Sequence, residues 1–228
     1  MALVEVQDVW KTYYRRNGQQ VHALRGVTLK IEEGHLTGIA GSSGSGKTTL
    51  LSLIGLLSKP SSGSISIDGI DVSGMSDIFR SRMRREKIGQ VFQSQYLVPH
   101  LTAVENVALP KMCTDISRSA AERQAVDILE HLDMGHRLHF RVAELSGGEL
   151  QRVSIARALI NSPKVVLADE PSSAIDESLT LSLLRLLKGM CKDEGLTVVV
   201  ASHDPIVLKW ADRIHRLDSG KLLENGTK

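Results

Sequence analysis

Nine consecutive residues, Gly41, Ser42, Ser43, Gly44, Ser45, Gly46, Lys47, Thr48 and Thr49, carry the clearest chemistry in the chain. Their pattern, G-x-x-x-x-G-K-T, follows a short apolar run (Leu36 to Ala40) and precedes another (Leu50 to Leu57). Strand, glycine loop and helix in that order are the context a phosphate-binding loop requires. Glycines let successive backbone N–H groups turn inward around an anion, and a helix starting near Gly46 aims its free N–H groups at the same point. Lys47 can reach β- and γ-phosphates, and Thr48 can offer a hydroxyl to Mg2+.

Four other stretches offer groups suited to the same chemistry. Val165 to Ala168 is a β-branched, apolar run that delivers Asp169 and Glu170 to a strand's carboxyl end. Adjacent carboxylates on an extended chain point to opposite sides, so one can hold a metal while the other orients or deprotonates water. Leu196 to Ala201 repeats the buried-strand pattern and ends in Ser202-His203, and Ile88 to Phe92 ends at Gln93. Each of these polar residues can be a ligand-contacting group or an ordinary hydrogen-bonding one. The fourth stretch is Leu145-Ser146-Gly147-Gly148-Glu149, heading a helix over Leu150 to Ile160. Ser146 with Glu149 fits a capping box. A cap does not need two glycines, which cost roughly 1 kcal/mol each in a helix, whereas close approach of a phosphate does.

These groups need elements to hold them. Leu3 to Val9 and Val27 to Ile31 alternate as half-buried strands, with a turn at Arg15-Arg16-Asn17-Gly18 between them. Tyr13 and Tyr14 lie in that interval, where either can stack on an adenine ring or pack on a sheet edge. Ser64 to Ile67 and Ile70 read as a strand or hairpin. Asp77 to Lys87 carries Arg80, Arg82, Arg84, Arg85 and Lys87, a pattern expected of a solvated helix face rather than a nucleic-acid platform. From Tyr96 to Ile160 the signals are helical: Val104 to Leu109, Ser119 to Leu132, then the Ser146-led helix. His131, His136 and His139 cluster there without standard metal-ligand spacing. Asp176 to Cys191 has Leu179, Leu183, Leu186 and Leu187 on one face, and Leu217 to Leu222 reads as a hairpin.

Bulk properties narrow the class. A chain of 228 residues can bury the core of one α/β domain with a subdomain, and a net charge of +2 does not by itself point to a polyanion partner. Cys113 and Cys191 are isolated, which suits a reducing compartment. The first residues lack a basic region followed by an apolar one, so no signal peptide is expected. Apolar runs fall far short of the ~20 residues that span a bilayer, so a membrane role requires another polypeptide.

Taken together, these stretches resemble the ATP-binding cassette (ABC) ATPases over essentially the whole chain. Gly41–Thr49 is similar to the Walker A motif, Val165 to Glu170 to Walker B with its catalytic glutamate, and Leu145 to Gln151 to the family signature. Gln93 falls at the Q-loop, Ser173 to Asp176 at the D-loop, His203 at the H-loop, and Tyr13 where the family carries its adenine-stacking aromatic. Within the family the strings look most like lipoprotein-release, macrolide-efflux and FtsE-like cassettes, although Pro171-Ser172-Ser173-Ala174-Ile175-Asp176 replaces that subgroup's usual P-T-G-N-L-D or P-T-G-A-L-D.

The resemblance implies an α/β fold: a P-loop NTPase (RecA-like) core, residues 1–93 and 162–228, with an antiparallel β subdomain and an inserted helical subdomain, residues 94–161. It implies ATP and Mg2+ as ligands, with Thr48, Gln93 and Asp169 at the metal and Lys47, Gln93, Glu170 and His203 in catalysis. The nucleotide contacts are Tyr13, the loop Gly41 to Thr49, Ser146, Gly147, Gly148 and Asp176. The implied partners are a second copy of the chain and an integral-membrane permease, at the cytoplasmic side of the cell (inner) membrane, with no nucleic acid expected. A non-transport cassette acting on nucleic acid or ribosomes is the alternative. Such proteins usually carry two cassettes or a long coiled-coil insertion, and neither is visible. A small-molecule kinase has no use for L-S-G-G-E, and Glu170 with His203 argues against a non-hydrolysing cassette.

Overall fold

The structure is a computed structural model that describes residues 1–173 and 175–223. It opens with an antiparallel hairpin, β1 (Ala2–Tyr14) and β2 (Gln20–Glu32), in which Val4 faces Ile31 and Val6 faces Leu29. Both strands run further than their apolar alternation suggests. The ladder continues through Thr12↔His22 and Tyr14↔Gln20 and closes where the Arg15 N–H donates to the Gln19 carbonyl at 2.9 Å. Those outer residues are mostly exposed, so burial periodicity, the only sequence signal used for the strand, is missing there. β4 (Ser62–Ile67) pairs with the other side of β1, and the short β5 (Ile70–Asp71) adds the edge.

The second sheet is parallel in its body: β3 (Leu36–Ala40), β6 (Ile88–Val91), β7 (Val165–Asp169), β8 (Thr197–Ser202) and β9 (Arg213–Asp218). β10 (Lys221–Leu222) turns back antiparallel on β9, so the expected terminal hairpin is there, with its first strand also paired to β3. The order across this sheet is β10-β9-β3-β8-β7-β6. β3 and β8 are buried along their whole lengths, the pattern of strands covered on both faces.

Side chains alternate between two cores. Val166, Ala168, Val198 and Val200 face one cluster, shared with α3 (Ala103–Ala108), α4 (Arg118–His131), α5 (Gly147–Leu159) and α6 (Glu177–Glu194). Val165, Leu167, Val199 and Ala201 face the other, shared with α1 (Lys47–Ile54) and the antiparallel sheet. A further helix, α7 (Pro205–Trp210), escaped the sequence reading because six residues hold too few turns to show a period. Its Leu208 comes within 3.1 Å of where a Cβ on Gly38 would stand, which is why β3 carries a glycine there.

The charged run is a helix, α2 (Asp77–Lys87), but not a solvated face throughout. Arg80 is only 6 % exposed and Met83 is buried, so one side of α2 is part of the interior. A run dense in arginine hides its inward positions, because length and charge read alike whichever way each side chain turns.

Ile39 is fully buried at the middle of β3, between the antiparallel sheet and α1. Ile39→Ala is expected to lower stability by about 2–5 kcal/mol. The urea midpoint should fall by a corresponding amount with an unchanged slope.

Candidate active site

The carboxyl ends of β3, β7 and β8 converge on the glycine loop. Gly44 (φ 79°) and Gly46 (φ 110°) take left-handed backbone conformations there, and Gly46 caps α1. A Cβ on Gly46 would stand 2.7 Å from the Ala23 carbonyl oxygen, so the loop is also pressed against β2. From the other flank the Gly220 N–H donates to the Ser45 carbonyl at 2.9 Å, and the Gly220 carbonyl accepts from the Arg25 N–H at 2.8 Å. Ser42, Ser43 and Gly44 form the exposed crest, whereas Ser45 is buried and its hydroxyl has no hydrogen-bond partner.

Lys47 begins α1 and folds back under the crest. Its ammonium donates to the Gly41 carbonyl at 2.8 Å and the Ser42 carbonyl at 3.1 Å, and lies 3.5 Å from a Glu170 carboxylate oxygen. Thr48, at the first turn, is exposed, and its hydroxyl lies on the side of the Asp169 carboxylate, whose charged form it favours. Burial raises the Asp169 pKa; the Thr48 hydroxyl lowers it, the Glu170 charge raises it and the Lys47 ammonium lowers it. Asp169 Oδ1 is buried without a hydrogen-bond partner. A hydroxyl beside a carboxylate with an unpaired, desolvated oxygen is a donor set suited to a hard divalent cation such as Mg2+.

Glu170 departs from the extended geometry expected of the pair. β7 ends at Asp169, and Glu170 takes a left-handed conformation (φ 46°) with its N–H donating to the Ala201 carbonyl at 2.9 Å. The two carboxylates still have different surroundings, but a turn of the backbone separates them, not strand alternation. Glu170 accepts from the Ser202 hydroxyl at 3.2 Å and meets His203 Nδ1 at 2.9 Å, while its side chain is 12 % exposed. Ser202, fully buried, was passed over in the sequence. A hydroxyl closing an otherwise apolar strand was the available signal.

The remaining predicted residues are placed as follows. Gln93 is exposed, two residues beyond the end of β6. Tyr13 is 40 % exposed with the Lys11 ammonium 5.0 Å from its ring centroid, and Tyr14 is more exposed still. Thr49 is half-buried in the first turn of α1. Asp176 caps α6, accepting from the Leu179 N–H at 2.9 Å; of the D-loop stretch Ser173 to Asp176, Ala174 lies outside the described residues. Ser146 caps α5 in the expected capping box: its N–H donates to Glu149 at 2.8 Å. That bond and the Arg137 guanidinium hold the Glu149 carboxyl down at about 2, against the opposing effect of burial. Gly147 is exposed. Gly148 is buried, and a Cβ there would stand 2.7 Å from Leu179 Cδ1, so packing against α6 already demands this glycine. His136 reaches Glu149 at 3.6 Å, while His131 bonds its own helix's Asp127 carbonyl at 2.6 Å.

A phosphate loop, a buried lysine and a paired Asp-Glu at the strand end define a P-loop nucleoside triphosphatase. The ABC transporter family profile matches residues 24–173, and the chain belongs to that family as an ATP-binding, ATP-hydrolysing cassette. It is 40% identical over 222 residues to the lipoprotein-releasing system ATP-binding protein LolD of Hyphomonas neptunium, covering 97% of each chain. It is 40% identical to the macrolide export ATP-binding/permease protein MacB of Syntrophobacter fumaroxidans, covering 96% of this chain and 31% of that protein. Among solved structures it is similar to a dimeric ATP-binding cassette in a post-hydrolysis state bound to ADP and Pi. That likeness has a TM-score of 0.91 and 39% identity over 99% of this chain and 98% of the other. The α/β cassette fold and the transporter assignment expected from the motifs are thereby shown, and the nucleic-acid alternative is not favoured.

Because burial holds the Asp169 pKa above its ordinary 3.8, its ionisation weakens the fold as pH rises through 3.8. Without nucleotide or metal, Asp169→Asn is therefore expected to melt above the parent at neutral pH. The gain should vanish below pH 3.8, where the carboxyl is protonated in both states. Thermal scans across that range check the sign.

Proposed function

We propose that the chain works as a head-to-tail pair that drives a separate integral-membrane permease from the cytoplasmic face of the cell membrane. ATP lies along the Gly41–Thr49 loop, with its adenine on Tyr13 and its β- and γ-phosphates against Lys47 and the first N–H groups of α1. The Ser146–Gly148 tip of the second copy, flanked by Asp176, closes on the same γ-phosphate, so ATP joins the copies and hydrolysis parts them. The dimeric form of the similar cassette bound to ADP and Pi supports this arrangement.

Thr48, Asp169 and Gln93 are the residues that hold Mg2+, which when bound neutralises charge on the phosphate oxygens. Glu170 takes a proton from the attacking water. The water oxygen bonds to the γ-phosphorus, the bond to the β–γ bridging oxygen breaks, and ADP leaves. Ser202 and His203 keep the Glu170 carboxylate aimed at that water, and Lys47 stabilises the phosphate it attacks. The observation that carries this reading is the Glu170 carboxylate itself: nearly buried, turned out of its strand by a left-handed backbone, and held at 2.9 Å from His203 and 3.5 Å from Lys47.

The permease is supported by the relatives. One is named for lipoprotein release and matched nearly end to end; the other is named for macrolide export and matched over 31% of its length. Among the described residues no helix is long and apolar enough to cross a membrane. By its likeness to these relatives the chain transmits motion to its partner rather than lining a passage, and affinity isolation from detergent-solubilised membranes should recover that partner with it.

Glu170→Gln is expected to bind ATP, to hydrolyse it about 100-fold or more slowly, and to elute as a dimer when ATP is present. Phosphate release at the parental rate would show that Glu170 is not the proton acceptor.

A further inference from the structure

The arginines of α2 remain unused by the chemistry above. Arg80, 6 % exposed, donates from Nη2 to the Leu56 carbonyl at 2.6 Å, and Arg84 donates from Nη1 to the same oxygen at 2.8 Å. Leu56 lies just past α1 in a left-handed conformation (φ 57°), with the Leu57 N–H returning to the Ser52 carbonyl at 2.9 Å. The neighbouring Gly55 carbonyl accepts from Gln90 Nε2 at 3.1 Å. The carboxyl end of α1 is therefore gripped by three side chains from α2 and β6.

We propose that Arg80 and Arg84 are positioning residues for ATP binding: their guanidiniums, converging on one carbonyl at the far end of α1, fix where Lys47 and Thr48 stand at its near end. The inference rests on Gly41–Thr49 being the triphosphate site. α1 has only eight residues and so is about 12 Å long, short enough that a shift at one end is felt at the other. It has no acidic residue in its first turn and no basic one in its last, so it brings no charge of its own to complement its dipole. α2 supplies two cations at the negative end, which leaves the positive end free for phosphate.

A purely structural role does not explain the choice of residue. Burying a guanidinium is costly unless its donors are satisfied. Arg80 has one carboxylate within reach, that of Asp77 at 2.9 Å, whose side chain is 86% exposed. An apolar side chain beside Met83 would fill the same space without that cost, but would leave the Leu56 carbonyl to Arg84 alone. The planar fork lets Arg80 hold Asp77 through Nη1 and Leu56 through Nη2 at once, which a lysine ammonium cannot reproduce.

The test compares Arg84→Ala, Arg80→Lys and the exposed-face control Arg82→Ala, all at a temperature where each is folded. Arg84→Ala and Arg80→Lys are expected to raise the Kd and KM for ATP about fivefold to twentyfold, with kcat changed less than about threefold. The 31P resonances of bound ATP should move in both, while Arg82→Ala leaves affinity and resonances at parental values. Parental ATP affinity in both Arg84→Ala and Arg80→Lys would overturn the proposal, as would equal weakening by Arg82→Ala. Lys47→Ala separates the underlying reading: if it too bound ATP normally, the loop would not be the triphosphate site. If it abolished binding while the arginine variants stayed parental, the clamp alone would fail.

Discussion

The buried ammonium of Lys47 is the charge around which the strand ends are arranged. A desolvated cation persists only if oxygens surround it, and here they come from two elements. The loop after β3 gives the Gly41 and Ser42 carbonyls, and the turn after β7 gives the Glu170 carboxylate. β8, which lies between β3 and β7 in the sheet, ends in the Ser202 hydroxyl and His203 that hold Glu170. The strand order is thus a chemical requirement as well as a folding one. A triphosphate offers the same ammonium a fuller set of anionic oxygens than the loop carbonyls do, which is the physical reason this loop can bind one.

Holding that ammonium in place takes segments far apart in the chain. β2 presses on Gly46 through Ala23 and Leu24, and the β9–β10 turn bonds Ser45 through Gly220. The same turn bonds Arg25, so the antiparallel sheet and the end of the parallel one are joined directly behind the phosphate loop. At the opposite, amino end of β3, Lys188 and Asp212 pair, with the Asp212 carboxylate also accepting from the Leu36 N–H at 2.9 Å, and this ties the start of β3 to α6 and to the segment entering β9. The loop's shape is consequently a property of the whole core. Its glycines alone would leave it many conformations.

This division explains what could be read in the sequence. Gly41–Thr49, Asp169, Glu170 and Ser146 were legible because their neighbours are strongly patterned: apolar strands end where chemistry begins, and a capping box is a local motif. The two-sided burial of β3 and β8 was legible for the same reason. What could not be read depends on tertiary contacts. The left-handed turn at Glu170 is invisible in residue types, since non-glycine residues rarely adopt it. Arg80 read as a surface residue because burial of one arginine among five basic residues leaves no trace in the pattern. Gly148 read as bare backbone awaiting a ligand, whereas Leu179, thirty-one positions later, already requires it.

That last contact links two parts of the site within one copy. The segment leaving Glu170 reaches Asp176, whose carboxylate caps α6 through the Leu179 N–H. The Leu179 side chain lies against Gly148, one residue into α5, and Ser146 and Glu149 lock that helix end in a reciprocal pair of bonds. The Ser146 N–H and the Arg137 guanidinium favour the ionised Glu149 carboxylate that makes this cap. Leu179 thus places the first turn of α6 against the glycine tip of the same copy. In the pairing proposed above, the exposed Gly147 backbone would face the second copy while Gly148 stays packed on its own α6.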